Sequence, residues 1–178
     1  MGLERIDELP ESPLVDLSAS IMLYQKIIDD NEQRSRAEQY EFLDGAYYML
    51  GFSYNEPNAL QYDSKRALVA FFDLIKARPE SDLADPAHLF IGNAYFDESK
   101  TREAIAEYQS VFDKGEDGKY FVEAMYQLAW SYYKIDQYDK ALGLFTQLLD
   151  YSEASYVKEG RRSEFAPDAV KYLAISFS

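Results

Sequence analysis

A repeated residue pattern constrains the fold of this 178-residue chain more than any other feature. Ala67, Ala104 and Ala141 follow one another at intervals of 37 residues. Each lies in a segment whose apolar residues recur with the three- and four-residue spacing of an amphipathic helix. A fixed period of this length is typical of stacked supersecondary units that bury their apolar faces on one another. The chain is therefore predicted to form an array of similar helical units.

Residues 122–150 show the clearest unit, two amphipathic helices joined by a tight turn. In the first helix the pattern is formed by Ala124, Met125, Leu128, Ala129 and Tyr132, and in the second by Ala141, Leu144, Phe145, Leu148 and Leu149. Asp136 is predicted to cap the second helix. Further helices are predicted over 15–31 and 36–56, with caps at Asp63 and Asp85 for the helices that follow those residues.

This pattern resembles the tetratricopeptide repeat. The signature positions are occupied by Met125, Leu128, Ala129, Tyr132, Ala141 and Phe145, with Met where the family usually has Trp. The resemblance implies an all-α fold, a right-handed α-α superhelix (solenoid) of antiparallel helix pairs. A single solenoid over 1–178 is predicted, with half repeats at 15–31 and 167–178 and full repeats at 36–79, 85–116 and 122–150. The half repeats at both ends suggest a fragment of a longer array.

The pattern is also similar to tetratricopeptide proteins of Gram-negative cell envelopes, including some associated with gliding motility or outer-membrane assembly. That similarity implies a periplasmic or cell-envelope location, with the cytoplasm as the alternative. No apolar run is long enough to cross a bilayer. The N-terminal sequence MGLERIDELPES lacks the basic and apolar regions of a signal peptide.

The charge of the chain limits its ligands. It has 32 acidic against 18 basic residues, a formal charge of −14. Such a surface repels the phosphates of nucleic acid, which is therefore not expected to bind. An acidic surface speeds encounter with a basic protein, although the charge can equally serve solubility alone.

Residues for catalysis or metal binding are few. The absence of cysteine excludes thiolate chemistry and disulfides. His88 is the single histidine, and it falls at the bulky core position of its repeat, so a packing role is predicted. The segment 113–124 lacks two ligands of a calcium loop, because Gly115 and Ala124 occupy those positions. We therefore predict a protein that is not an enzyme and has no cofactor or metal.

The candidate site is a surface. In the tetratricopeptide family, the first helices of successive repeats line a concave groove. The corresponding positions here are Tyr48, Phe52, Leu89, Asn93, Phe96, Tyr126, Trp130, Tyr133, Lys171 and Ile175. Aromatic residues are enriched at binding hot spots, although the same rings can pack against neighbouring helices instead. The Lys and Asn clamp with which some members hold a peptide carboxylate is replaced here, since Tyr48 and Phe52 occupy two of its positions.

Two functions are consistent with this pattern. The first is a scaffold or adaptor that holds a peptide or helix of another protein in the groove. The second is a structural or regulatory module of a longer enzyme or envelope assembly, in contact with its own chain. Residues 169–178 are largely apolar, and nothing follows to cover Leu173 and Phe177. The last helix is therefore expected to self-associate or to fray, unless it packs on the preceding repeat.

Overall fold

The computed structural model describes residues 14–32, 34–35 and 38–176, which form eight α-helices. Their bounds are α1 Ser18–Glu32, α2 Leu43–Asn55, α3 Ser64–Ala77, α4 Ala84–Asp97, α5 Thr101–Phe112, α6 Phe121–Lys134, α7 Tyr138–Glu159 and α8 Ala166–Ser176. The helices of the described residues pack in sequence order within α1 to α3 and within α4 to α8, as in tetratricopeptide repeats, which confirms the all-α prediction. Phe177 and the first thirteen residues lie outside the described part.

The chain divides into two compact units. The N-terminal unit, Met1–Ala77, contains α1, α2 and α3. The C-terminal unit, Arg78–Ser178, contains α4 to α8. Within each unit, every helix packs on the next one along the chain. The single solenoid predicted over 1–178, with its repeat boundaries, stays a prediction.

The α2–α3 and α4–α5 pairs each close on a contact between a glycine and an aromatic ring. In the α2–α3 pair, a Cβ atom on Gly51 would lie 2.7 Å from the ring of Phe71. In the α4–α5 pair, a Cβ atom on Gly92 would lie 2.8 Å from Cδ1 of Tyr108. Both separations are shorter than van der Waals contact, so each ring lies where a side chain on the facing helix would stand. These contacts let the two helices of a pair approach closely.

The periodic alanines are packing sites, as the sequence predicts. Ala67, Ala104 and Ala141 are each at most 2% exposed. They lie on the second helix of their pairs, where a larger side chain would overfill the contact.

The turns within the α4–α5 and α6–α7 pairs have the same geometry. This geometry shows that one predicted helix cap is wrong. Ser99 and Asp136, 37 residues apart, both have a left-handed backbone, with φ of 61° and 62°. The next residue then donates its N–H to a carbonyl of the first helix, Lys100 to Tyr95 and Gln137 to Tyr132. Asp136 therefore ends α6 rather than capping α7, because a left-handed residue at this place closes a helix C-terminus. The prediction that it caps the second helix was wrong.

The α2–α3 pair has an equivalent hydrogen bond between the residue before the second helix and a carbonyl of the first helix, although its loop is longer. Asp63 donates its N–H to the carbonyl of Tyr54 at 2.8 Å, and its carboxylate accepts the N–H groups of Lys65 and Arg66. Asp63 is thus the predicted cap of α3. The extra loop residues pair with the chain before α1, where Val15 donates to the Asn58 carbonyl and forms a parallel bridge with Ala59.

Predicted helix ends differ from the structure at several places, and the helix predicted over 15–31 begins at Ser18. The helix predicted over 36–56 begins at Leu43. Helix α4 begins at Ala84, so Asp85 lies in its first turn, where the carboxylate accepts a hydrogen bond from Lys114 Nζ instead of capping. Helix α7 continues beyond Asp150 and ends before Gly160, whose left-handed φ of 72° stops the helix.

Helix α8 packs on the helix before it through one face. Ala166 and Ala169 are buried in the core formed with α6 and α7, and Leu173 packs against that core while half-buried. Val170 and Ile175 on the other side are 54% and 58% exposed. Among the described helices, none combines the length and apolar character needed to span a membrane.

Candidate protein-binding surface

Helix α6 presents three aromatic side chains on one face. Tyr126, Trp130 and Tyr133 follow one another at four- and three-residue intervals, which places them in one row along the helix. The Trp130 ring lies edge-on to both neighbours, with ring centroids 6.1 Å from Tyr126 and 5.9 Å from Tyr133. The sequence prediction that these three residues share a face agrees with this geometry.

The neighbouring helices cover part of this row. Phe145 of α7 and Tyr172 of α8 both contact the Trp130 ring edge-on. Phe165, just before α8, stacks on Tyr126 with a centroid distance of 4.6 Å. Trp130 and Tyr126 are consequently half-buried, so both possibilities left open by the sequence apply to them: they pack within the chain and still keep exposed surface.

The open end of the row is a cluster of tyrosines. Tyr133 lies 5.2 Å from Tyr138 and 5.4 Å from Tyr172, measured between ring centroids. Tyr133 is 37% exposed and Tyr138 is 48% exposed. We call Trp130, Tyr133, Tyr138 and Tyr172 the aromatic face. Tyr138 and Tyr172 were not predicted as site residues, because the family positions used for the prediction lie on first helices and do not include them.

The hydroxyl groups of Tyr126, Tyr138 and Tyr172 each have a raised pKa and therefore stay protonated at neutral pH. A hydrogen bond from its own hydroxyl to Asp136, 2.7 Å long, raises the pKa of Tyr138. Burial, followed by the nearby Tyr133 and Asp168, raises the pKa of Tyr172. Burial also raises the pKa of Tyr126, whose hydroxyl donates to Asp168. Tyr138 and Tyr172 therefore contribute neutral rings and hydroxyl groups to the face rather than phenolate charge.

Helix α4 contributes less surface than the sequence predicts. Leu89 is 4% exposed and belongs to the core between α4, α5 and α6, so it has almost no surface for a partner. Asn93 is half-buried, and its Oδ1 accepts a 2.7 Å hydrogen bond from the hydroxyl of Tyr108. Phe96 is half-buried under Lys134, whose Nζ lies 4.1 Å from the ring centroid and donates to the Phe96 carbonyl.

The other predicted positions lie on α2 and α8. Tyr48 is half-buried against Phe71 in the N-terminal unit, with ring centroids 5.7 Å apart, while Phe52 is 45% exposed. Lys171 and Ile175 are exposed on α8. The structure thus brings Tyr126, Trp130 and Tyr133 together.

Two ionisable side chains of the C-terminal unit, His88 and Glu123, are partly buried. His88 is half-buried, and its Nδ1 lies 2.7 Å from Glu107 Oε2, which links α4 to α5. The predicted packing role thus includes a polar contact that the sequence did not indicate. Burial, with a smaller contribution from Glu164, raises the pKa of the Glu123 carboxyl. In the part of the chain that the structure describes, no three His, Asp or Glu side chains group as metal ligands would.

Comparison with known families finds a match to one helix pair of the C-terminal unit. A family model described as "Tetratricopeptide repeat" matches residues 123–152, which cover all but the first two residues of α6 and the first two thirds of α7. A comparison with curated proteins finds no match. The tetratricopeptide resemblance is confirmed for this segment. Tetratricopeptide repeats are protein-interaction modules and generally serve as scaffolds rather than catalysts.

Proposed function

We propose that this protein is a non-enzymatic adaptor that holds a peptide or helix of another protein on the aromatic face of its C-terminal unit. The observation that carries the proposal is the environment of Tyr133. Its ring contacts Trp130, Tyr138 and Tyr172, yet more than a third of its surface is open to solvent. A ring that is held by its neighbours and still exposed is suited to contact a partner.

The physical advantage of such a ring lies in its fixed position. Ordering a mobile side chain at an interface costs about 0.5–1.5 kcal/mol, and a side chain already held in place avoids most of that cost. Tyrosine and tryptophan also bring large contact areas and are enriched at binding hot spots. The aromatic face combines both properties.

The partner segment is proposed to be basic overall. The formal charge of −14 attracts cationic segments over a distance and raises their association rate. At the aromatic face, the ammonium group of Lys134 is already engaged by the ring and carbonyl of Phe96. The ring and the carbonyl of Phe96 therefore partly offset the positive charge of Lys134.

A library of random peptides displayed on phage and selected against the intact protein tests the proposal. The selected peptides should be rich in basic and apolar residues. Their affinity should fall about fivefold or more in Tyr133→Ala, as at a hot spot that contributes about 1 kcal/mol. The affinity would be measured by fluorescence anisotropy of the labelled peptides.

A tyrosine elsewhere provides the matched control. Tyr156 on α7 is 47% exposed and lies outside the aromatic face, and Tyr156→Ala should leave the affinity unchanged. The proposal is contradicted if no peptide is selected, or if Tyr133→Ala and Tyr156→Ala weaken binding equally.

A further inference from the structure

A cleft lies in the N-terminal unit and shares no residue with the aromatic face. It has a volume of about 400 Å³ and opens between α1, α2 and α3. Its floor is made of side chains that are at most 5% exposed, namely Ile28, Leu50, Tyr54 and Ala70. Val69 forms one lip and is 60% exposed. Ligand-binding pockets are mostly apolar and on the order of 300–1,000 Å³, so the cleft can accept a large apolar side chain.

The rim of the cleft carries charges of opposite sign at its two ends. Lys65 and Arg66 lie in the first turn of α3, and Asp73 lies two turns further along the same helix. Since a helix rises 1.5 Å per residue, Arg66 and Asp73 are roughly 10 Å apart along the axis. Within the described residues, none of the three forms an ion pair.

The basic end is built to attract an anion despite the acidic character of the protein. The guanidinium of Arg66 lies 4.7 Å from the ring centroid of Tyr54, which holds it against the wall of the cleft. The positive end of the α3 dipole adds to its charge. Asp63 offsets part of this positive charge, because its carboxylate caps α3 beside Lys65 and Arg66. The carboxylate of Asp63 is already occupied by the N–H groups of both residues.

We propose that this cleft docks a partner polypeptide segment in which an apolar side chain stands between an acidic and a basic residue. The apolar side chain enters the floor between Ile28 and Ala70. The acidic residue pairs with Lys65 and Arg66, and the basic residue pairs with Asp73. Because the paired charges lie at fixed ends of the cleft, they set the direction of the segment as well as its composition.

Three labelled peptides with the same Leu-Phe-Leu centre test this directly. One has glutamates on one side and lysines on the other, the second has lysines on both sides, and the third has glutamates on both sides. The bulk charge of −14 by itself predicts that the lysine peptide binds tightest. The proposed cleft predicts that the mixed peptide binds tightest, by about fivefold or more over the lysine peptide.

Matched variants locate the binding to the cleft. Arg66→Glu should lower the affinity for the mixed peptide about fivefold or more. Arg102 is an exposed arginine in the first turn of α5, and Arg102→Glu should leave that affinity unchanged. Val69→Gln should also lower the affinity for the mixed peptide. Val157 is 84% exposed on α7, and Val157→Gln should leave the affinity unchanged. Asp73→Lys should raise the affinity of the all-glutamate peptide.

The outcomes are decisive in both directions. Tightest binding of the mixed peptide, lost in Arg66→Glu and kept in Arg102→Glu, supports the cleft. Binding that follows bulk charge, equal effects of the two arginine variants, or no binding of any of the three peptides overturns it. Tyr133→Ala should leave binding of the mixed peptide unchanged, so this inference and the proposed function can fail independently.

Discussion

Gly92 and Gly143 are both helical glycines, but only one of them faces a ring. A methyl group on Gly92 would collide with Tyr108, which is fully buried and held by its hydroxyl bond to Asn93. Nothing lies within 4 Å of a methyl group on Gly143. Gly92→Ala should therefore cost about 1–3 kcal/mol of unfolding free energy through overpacking. Gly143→Ala should gain roughly 0.5–1 kcal/mol, because alanine loses less backbone entropy in a helix.

Urea unfolding followed by circular dichroism measures both changes. If Gly92→Ala raises the midpoint or leaves it unchanged, the close approach of α4 and α5 at Gly92 is wrong.

Two buried serines of the C-terminal unit should respond oppositely to alanine. Ser131 is fully buried, and its hydroxyl has no hydrogen-bond partner in the described part of the chain. Ser152 is 1% exposed, and its hydroxyl accepts the N–H of Ser163 at 2.9 Å. Ser131→Ala should raise stability, since an unsatisfied buried polar group costs about 1–3 kcal/mol. Ser152→Ala should lower it by about 1–3 kcal/mol, because it leaves the Ser163 N–H unpaired.

Thermal melting of the two variants gives the comparison. Equal losses in both would mean that the Ser131 hydroxyl is satisfied in solution.

Among the helices and turns, the sequence predicted what depends on local periodicity and missed what depends on backbone geometry. The buried alanines follow from helical spacing, and Asp63 caps α3 as predicted. Asp136 was misassigned because aspartate suits both a helix N-cap and a left-handed turn position. Ser99 occupies the same left-handed position, and serine is not a residue that marks it. Only the structure shows which role each residue has.

Helix α8 shields the indole of Trp130 through Tyr172. Tyr172→Ala should expose that indole, shift its emission to longer wavelength and increase its quenching by acrylamide, because the ring that covers it is removed. Val170→Ala changes an exposed residue of the same helix and should leave the emission unchanged. Identical spectra for the two variants would show that α8 does not cover Trp130 in solution.

At the scale of the whole molecule, the repetition of helix pairs could be predicted from the sequence. The residues that form the aromatic face could be predicted only in part. The α2–α3, α4–α5 and α6–α7 pairs each bury an alanine of their second helix, and the 37-residue interval between these alanines is visible in the sequence. The aromatic face joins α6, α7 and α8, and Phe145 and Tyr172, which cover Trp130, are distant from it in sequence. Carrying positions over from first helices found Tyr133 but missed Tyr138 and Tyr172. Leu89 was included although its side chain faces the core.

Trp130 is the only tryptophan of the chain, so its fluorescence reports on the aromatic face alone. The most direct test is acrylamide quenching of Trp130 with and without a saturating amount of a tryptophan-free peptide selected by the intact protein. A peptide bound on the aromatic face should reduce the quenching constant about twofold or more, since an interface excludes solvent from its centre. An unchanged quenching constant at a peptide concentration that saturates binding in anisotropy would contradict the account.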